Sequence, residues 1–413
     1  MELFGQIVVF IIMACAVFGA VTSIVKPKHP LGQKFLEGID SIGPIFLPVA
    51  GILASAPFLN EFVTGIFEPL FQTLGADAAV AATTIVATDM GGYLLADAIA
   101  STRESWIMAM ITGYMSGATL VFSIPVALRM LQESDRKYLA LGIMSGFLAI
   151  PVGVFISSAI IALTDPMIRE IVSTNAAATY QLALTFGLIF RNLMPLIMVC
   201  VAIALGLIFK PKVMINGFLV FGKGLDAVLR IVFVFAIVEY SCGFFTNIVG
   251  WWGFDPIIAD EANLYRAAEI SCAIGIMLSG AFPMVYMIQT YLKKPLAVIG
   301  RVSHLSVNAM AGLLAATANV LALFGMVKDL VPEDKIKCIA YSVCAAFLIG
   351  DHLLFTNSFQ PTLTFPIMVG KLAAGCFGIF LATKIAVPKA KALAKQELME
   401  EKRTMESAKK DSK

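Results

Sequence analysis

The chain has 413 residues, 59% of them hydrophobic and 14% charged, with a formal net charge of +2 and a mean hydropathy of +0.87. An ordinary soluble domain, with about 45–50% apolar residues, is excluded by that composition, and the near-neutral charge gives no ground for a nucleic-acid partner. The apolar residues come in runs of about twenty, enough to cross roughly 30 Å of hydrocarbon as a helix, so the chain reads as an all-α, polytopic transmembrane bundle.

About eleven helices are expected, over residues 4–25, 41–59, 78–99, 106–128, 138–163, 180–208, 217–240, 266–291, 305–327, 337–356 and 362–387. The first run follows Glu2 and no basic segment, and it is longer than a secretory h-region, so it reads as a span. Proline, glycine or charge bounds each run, as at Lys26-Pro27-Lys28, Lys210-Pro211-Lys212 and Lys293-Lys294-Pro295. Prolines inside runs, at Pro125, Pro283 and Pro366, mark kinks that free backbone carbonyls. Gly113/Gly117 and Gly142/Gly146 read as close helix packing.

Residues 123–157 align with 323–356, each with a charged turn, and the chain divides into an extra first helix and loop (1–34), a first repeat (35–213), a second repeat (214–390) and a charged tail (391–413). Five spans per repeat would insert the second copy upside down, the inverted arrangement of many secondary transporters, with the substrate at the repeat interface. Lysines in alternate loops and in the tail put the N-terminus outside and the C-terminus in the cytoplasm, although Arg129, Arg136 and Lys137 then fall on the outer side.

All seven cysteines lie in or beside apolar runs without a C-x-x-C pair and read as small core residues. His29, His304 and His352 have no zinc-ligand spacing, so no metal and no cofactor is expected.

The ionisable residues inside the runs are the functional candidates, because a charge in hydrocarbon is costly unless it faces a partner or a cavity. Asp89 lies beside Gly91 and Gly92, where missing side chains let the helix break and a ligand approach, and Tyr93 shares its helical stripe. In the second half, Asp351 and His352 precede Phe355 and Asn357; a carboxylate next to an imidazole can hold a cation or share a proton. Ser123 offers a polar group beside the break at Pro125. Arg191 and Lys371 occupy similar places in the two copies and read as counter-charges to the two aspartates. Lys223, Asp226 and Arg230 read as snorkelling side chains at the start of one span.

The segments Thr88–Gly92, Val121–Leu128, Ser134–Gly142, Met214–Phe218, Gly350–Leu353 and Phe365–Leu372 together resemble the ethanolamine permease family of bacterial ethanolamine-utilisation operons, from about residue 35 to residue 388. The resemblance implies a bacterial inner-membrane protein that admits ethanolamine for breakdown by a cobalamin-dependent lyase in a microcompartment. Ethanolamine is mostly protonated at neutral pH, so its site needs one or two carboxylates, an aromatic face such as Tyr93 or Phe355, and a polar group such as Ser123, Asn319 or Asn357 for the hydroxyl. Facilitated diffusion and coupling to H⁺ or Na⁺ both fit, as does an oligomer. Transport of another small amine or amino acid is the alternative of the same kind, and a membrane sensor or anchor one of another kind. An intramembrane aspartyl protease would need G-x-G-D, and Leu348 stands where its first glycine belongs.

Overall fold

A computed structural model describes residues 2–43, 73–85, 87, 90–173, 176–251, 266–291 and 305–392, with single positions between 46 and 71. Those residues form a helical membrane protein whose only sheet, among them, is a two-stranded ribbon. The helices α1 (Glu2–Val25) and α2 (Pro30–Asp40) meet at a 112° bend, where His29 caps the second and Pro30 opens it. More than half of the run at 41–59 lies outside the described residues.

The segment 78–99 is not one span. It is two short helices, α3 (Ala78–Ile85) and α4 (Tyr93–Ile99), that pack on each other and whose outer ends are tied together: the Ser101 N–H donates to Asp77 at 3.2 Å, and the Ser101 hydroxyl bonds the same carboxylate. This is a helical hairpin, with its tip between them. The chain then crosses as α5 (Arg103–Met115), a π-helical turn at Thr119–Ser123 and α6 (Ile124–Met130), together long and apolar enough for one span. It returns as α7 (Arg136–Phe147) and α8 (Ile150–Thr164), another span. After the ribbon, Met167–Ile168 on Tyr180–Gln181, α9 (Phe186–Phe209) crosses again; the ribbon takes residues 180–181 out of the expected helix. The helices α10 (Pro211–Cys242) and α11 (Arg266–Tyr291) follow.

A second hairpin is built from the run 305–327. The helices α12 (Val307–Ala318) and α13 (Val320–Met326) pack on each other across a sharp turn at extended Asn319, and a Cβ on Gly312 of α12 would lie 3.1 Å from Leu323 of α13. Next come α14 (Pro332–Ala345), a non-helical stretch, α15 (Asp351–Phe359) and α16 (Thr364–Leu381), the last lying in a long span at Pro361–Ala392.

Polar ties define the two ends of the bundle. At the ribbon end Arg103 pairs with Asp97, the Tyr180 hydroxyl donates to Glu104 at 3.0 Å, which raises the tyrosine's pKa, and Thr362 donates to the Met167 carbonyl at 2.8 Å. At the lysine end Lys335 meets Asp135 at 2.5 Å with both side chains nearly covered, and the Ser306 N–H donates to Asp334 at 3.2 Å. Asp97 therefore reaches an interface, as its place near a run end implies. The first hairpin enters from the ribbon end and the second from the lysine end. The Asp135–Lys335 pair also joins the N-termini of α7 and α14, so these helices run side by side in the same direction. Gly142 and Gly146 give that seam its closeness: a Cβ on them would sit 2.6 Å from Ile339 and 2.4 Å from the Ala340 carbonyl.

The surface of α1, α9 and α10 carries exposed apolar side chains, among them Phe10, Ile24, Phe190, Val220 and Ile231, as a lipid-facing wall must. Cys15, Cys200, Cys338 and Cys344 are buried, but Cys242, Cys272 and Cys376 are exposed, which corrects the core assignment for those three. Apolar surroundings in sequence do not separate core from lipid, because both are apolar.

Candidate functional site

The tip of the first hairpin is a glycine turn. Gly91 and Gly92 adopt φ of +74° and +67°, left-handed values that cost other residues energy, and the turn reverses the chain. The same absence of side chain lets the tip seat on α5: a Cβ on Gly113 would fall 2.0 Å from the Gly91 carbonyl oxygen, and one on Gly117 would meet the Thr83 carbonyl at 2.5 Å and Ala87 at 3.0 Å. The Ser116 hydroxyl donates to the Thr84 carbonyl at 2.5 Å. The hairpin thus ends against the stretch where the crossing helix turns π-helical, and buried Ser123 closes that turn ahead of Pro125.

The second tip seats on a break as well. Between α14 and α15 the chain leaves the helix, with Phe347 at φ +60°, and its free backbone donors are taken up by the end of α12: Phe347 N–H to Ala316 O at 3.1 Å and Ile349 N–H to Thr317 O at 2.8 Å. Gly350 is required there, since a Cβ would be 2.1 Å from the Ala318 carbonyl oxygen. Asn319, fully buried, accepts from the Leu321 N–H and so caps α13.

At the start of α15 a polar cluster sits inside the protein. The His352 ring lies 4.2 Å from the Tyr114 ring and 5.1 Å from that of Phe347. The Tyr114 hydroxyl bonds Thr356 at 2.9 Å, and the Lys371 amine reaches the Tyr114 carbonyl at 3.4 Å and stands 5.8 Å above its ring. Buried Asp351 Oδ2, His352 Nδ1 and Asn357 Oδ1 have no hydrogen-bond partner among the described residues. Buried polar atoms are normally satisfied, so these three stand out from the rest of the interior.

The expected site residues fall into three groups. Gly91, Gly92, Ser123, Asn319, Asp351 and His352 lie at the two tips or at the breaks they seat on, and Asn357 lies further along α15. Asp89 lies outside the described residues. Tyr93 and Phe355 are instead packed into an aromatic cluster: Tyr93 stacks on Trp106 at 4.7 Å, meets Phe355 edge-on at 5.5 Å, and its hydroxyl accepts from Gln360 at 2.8 Å. The tyrosine ring is occupied by packing and presents no open face to an ammonium.

The counter-charge expectation is corrected at Arg191; for Lys371 the expected partner Asp89 lies outside the described residues. Arg191 is on the exposed surface of α9, its side chain against the backbone at Gly75, and among the described residues it makes no ion pair. Lys371 is 0% exposed, yet no ion pair among the described residues includes it. Similar positions in two apolar runs do not fix the direction in which a side chain leaves its helix.

Residues 4–385 match the family described as "Ethanolamine utilisation protein, EutH". A "Probable ethanolamine permease EutH" of Listeria monocytogenes is 36% identical over 386 residues, covering 92% of this chain and 95% of that protein. The protein of the same description in Escherichia coli K12 is 37% identical over 372 residues, 88% of this chain and 87% of its own length. The chain belongs to the EutH family. A further relative, "Uncharacterized protein YxeR" of Bacillus subtilis, is 31% identical over 369 residues, covering 89% of this chain and 91% of that one. No solved structure matches the chain.

The EutH family is a family of permeases, not enzymes, which sets the aspartyl-protease alternative aside. Sequence reasoning passed over several residues that build this EutH core: Tyr114, Thr356, Trp106 and Gln360. Gln360 both donates to the Tyr93 hydroxyl and the Arg169 carbonyl and accepts from the Arg169 N–H, locking the ribbon end over α15. Single polar residues between charged and aromatic neighbours carry no periodic signal, and only the fold brings these together.

Proposed function

We propose that the chain carries protonated ethanolamine into the bacterial cytoplasm through a mid-membrane site bounded by the two hairpin tips, with access alternating between the two ends. The observation that carries this is the convergence of both tips on helix breaks beside Asp351, His352 and Asn357, whose partnerless buried acceptors suit an ammonium and a hydroxyl. Asp351 supplies the charge, and Asn357, Ser123 or Asn319 the hydroxyl partner. Asp89, which lies outside the described residues, is the second carboxylate by its place in the sequence beside Gly91 and Gly92. The ethanolamine in the relatives' descriptions supports the choice of cargo.

The inverted repeat enters here in a register different from 123–157 on 323–356. That alignment superposes α7 on α14, which run parallel. Matching hairpin to hairpin aligns 77–101 with 306–331, the bent spans 103–130 with 332–359, and the two 32-residue spans Glu133–Thr164 and Pro361–Ala392 with each other. In this register the π-helical turn lies opposite the break before Asp351, and every matched pair runs in opposite directions, as an inverted repeat requires. The lysine end, with Lys210, Lys335 and Lys389, is the cytoplasmic one by the positive-inside rule. Arg129, Arg136 and Lys137 share that end because Asp135 pairs with Lys335. It leaves the N-terminus of α1 outside.

Uptake of labelled ethanolamine into proteoliposomes at mildly acidic pH, where little neutral amine diffuses, tests the assignment. Asp351→Asn and Asp89→Asn should each lower the rate at least tenfold, while the variants elute and melt as wild type. Wild-type uptake in Asp351→Asn removes the proposed site. Competition by other small amines and amino acids separates ethanolamine from the alternative cargo, and uptake with and without an imposed H⁺ or Na⁺ gradient reads coupling directly.

A further inference from the structure

A cavity of about 300 Å³ runs along the flank of the second hairpin that faces α2 and α11. Asp329, just past the end of α13, lines it at the hairpin's base, and Ala322 and Ala315 line it near the tip. Those two alanines are bonded through the backbone to Asn319 itself: the Asn319 N–H donates to the Ala315 carbonyl at 2.9 Å, and the Ala322 N–H to the Asn319 carbonyl at 3.2 Å. The cavity therefore follows the hairpin from its base to within one turn of its tip. The carbonyls of Ala316, Thr317 and Ala318, in that same turn, meet the break at 347–350. A single turn of chain thus stands between the cavity and the break before Asp351. Toward α14 the hairpin is packed instead: the Cys338 thiol donates to the Ala309 carbonyl at 3.5 Å, and a Cβ on Gly312 would lie 3.7 Å from the same sulfur.

Charge enters this cavity from α2. That helix runs inward from the bend after α1, with Gly38 so close to α11 that a Cβ would lie 2.4 Å from the Ser279 nitrogen, and Glu37 stands about 10 Å along it from Pro30. Glu37 pairs with Lys34, yet the two side chains keep 53% and 42% of their surface open, and both line the cavity. Ionised groups at such a place need a wet space beside them. We infer, resting on the transport site proposed above, that this cavity is the cytoplasmic passage of the cargo: when access turns to the lysine end, the ammonium leaves along the hairpin past Glu37 and Asp329. A lysine stands near each acid in the chain, Lys34 and Lys328, and offsets its pull, so the cation is passed on and not held.

The test uses the full-length protein without Cys242, Cys272 and Cys376. It receives Gly325→Cys, at a cavity-lining position where a Cβ would meet nothing within 4 Å, or Val331→Cys, exposed near the same end but outside the cavity. Each is treated in detergent with 2-(trimethylammonio)ethyl methanethiosulfonate or with methyl methanethiosulfonate, checked by mass for complete modification, and reconstituted for uptake of labelled ethanolamine. The bulky cationic adduct at 325 should lower uptake about fivefold and the methylthio adduct less than about twofold, and neither adduct at 331 should change it. Glu37→Gln combined with Asp329→Asn, both at exposed positions, should lower uptake about threefold, and Glu37→Asp combined with Asp329→Glu should restore it. An unreactive thiol at 325, wild-type uptake with the cationic adduct there or in the neutral double variant, or an equal loss at 331 overturns the passage alone. No uptake by the unmodified protein removes the cargo instead, and the passage with it.

Discussion

Glycine at three positions is a demand of contact as well as of backbone angle. Gly91 needs a left-handed φ and leaves 2.8 Å between a would-be Cβ and the Met110 carbonyl, while Gly113 and Gly350 each face another backbone oxygen at about 2 Å. Gly113→Ala is therefore expected to unseat the first tip and Gly350→Ala the second. Each should cost about 1–3 kcal/mol, the usual penalty of overpacking, and should lower uptake more than it lowers the unfolding midpoint, since the tips border the proposed site. Uptake rates and thermal melts on the same preparations decide it. At Tyr93 the opposite is expected: Tyr93→Phe removes one hydrogen bond to Gln360, worth about 1 kcal/mol, and leaves the concentration dependence of ethanolamine uptake unchanged.

Between elements, the seam of α7 on α14 rests on small residues and one covered ion pair. Breaking a buried pair by removing one partner costs about 3–5 kcal/mol, whereas replacing both with apolar residues of similar size is often neutral. Asp135→Leu and Lys335→Met should each lower the unfolding midpoint sharply, and the double variant should recover most of the loss. A double variant as unstable as the sum of the singles would show that the pair does not act as a unit. Both hairpins close at their outer ends on a carboxylate, Asp77 for Ser101 and Asp334 for Ser306, so each is tied at its base and rests by backbone contact at its tip.

Across the whole molecule, the two ends differ in charge. The ribbon end gathers Asp77, Asp97, Glu104 and Glu170 around Arg103 and Arg169, and the lysine end gathers the chain's cationic loops. An acidic mouth raises the local concentration of a cationic substrate, in keeping with entry from the ribbon end. Cysteines introduced by Ser101→Cys and Lys328→Cys, in a background without Cys242, Cys272 and Cys376, should be labelled by a membrane-impermeant thiol reagent in intact cells at the first position only; labelling at the second alone would reverse the proposed orientation.

The sequence by itself determined the membrane class, the family and the weak point at Gly91-Gly92, because apolar run length, ordered motifs and adjacent glycines are local properties, whereas the break before Asp351 falls inside the helix expected over 337–356. It could not tell whether a run such as 78–99 crosses the bilayer or enters and turns back, since hydrocarbon and a protein core demand the same apolar side chains. That was decided in three dimensions, by the left-handed glycine turn and the Asp77–Ser101 and Asp334–Ser306 ties. The same tertiary contacts took Arg191 and Tyr93 away from the centre and brought Tyr114, Thr356 and Lys371 into it. A helical stripe fixes only the spacing of side chains along one element, and which of them meet depends on partners hundreds of residues away.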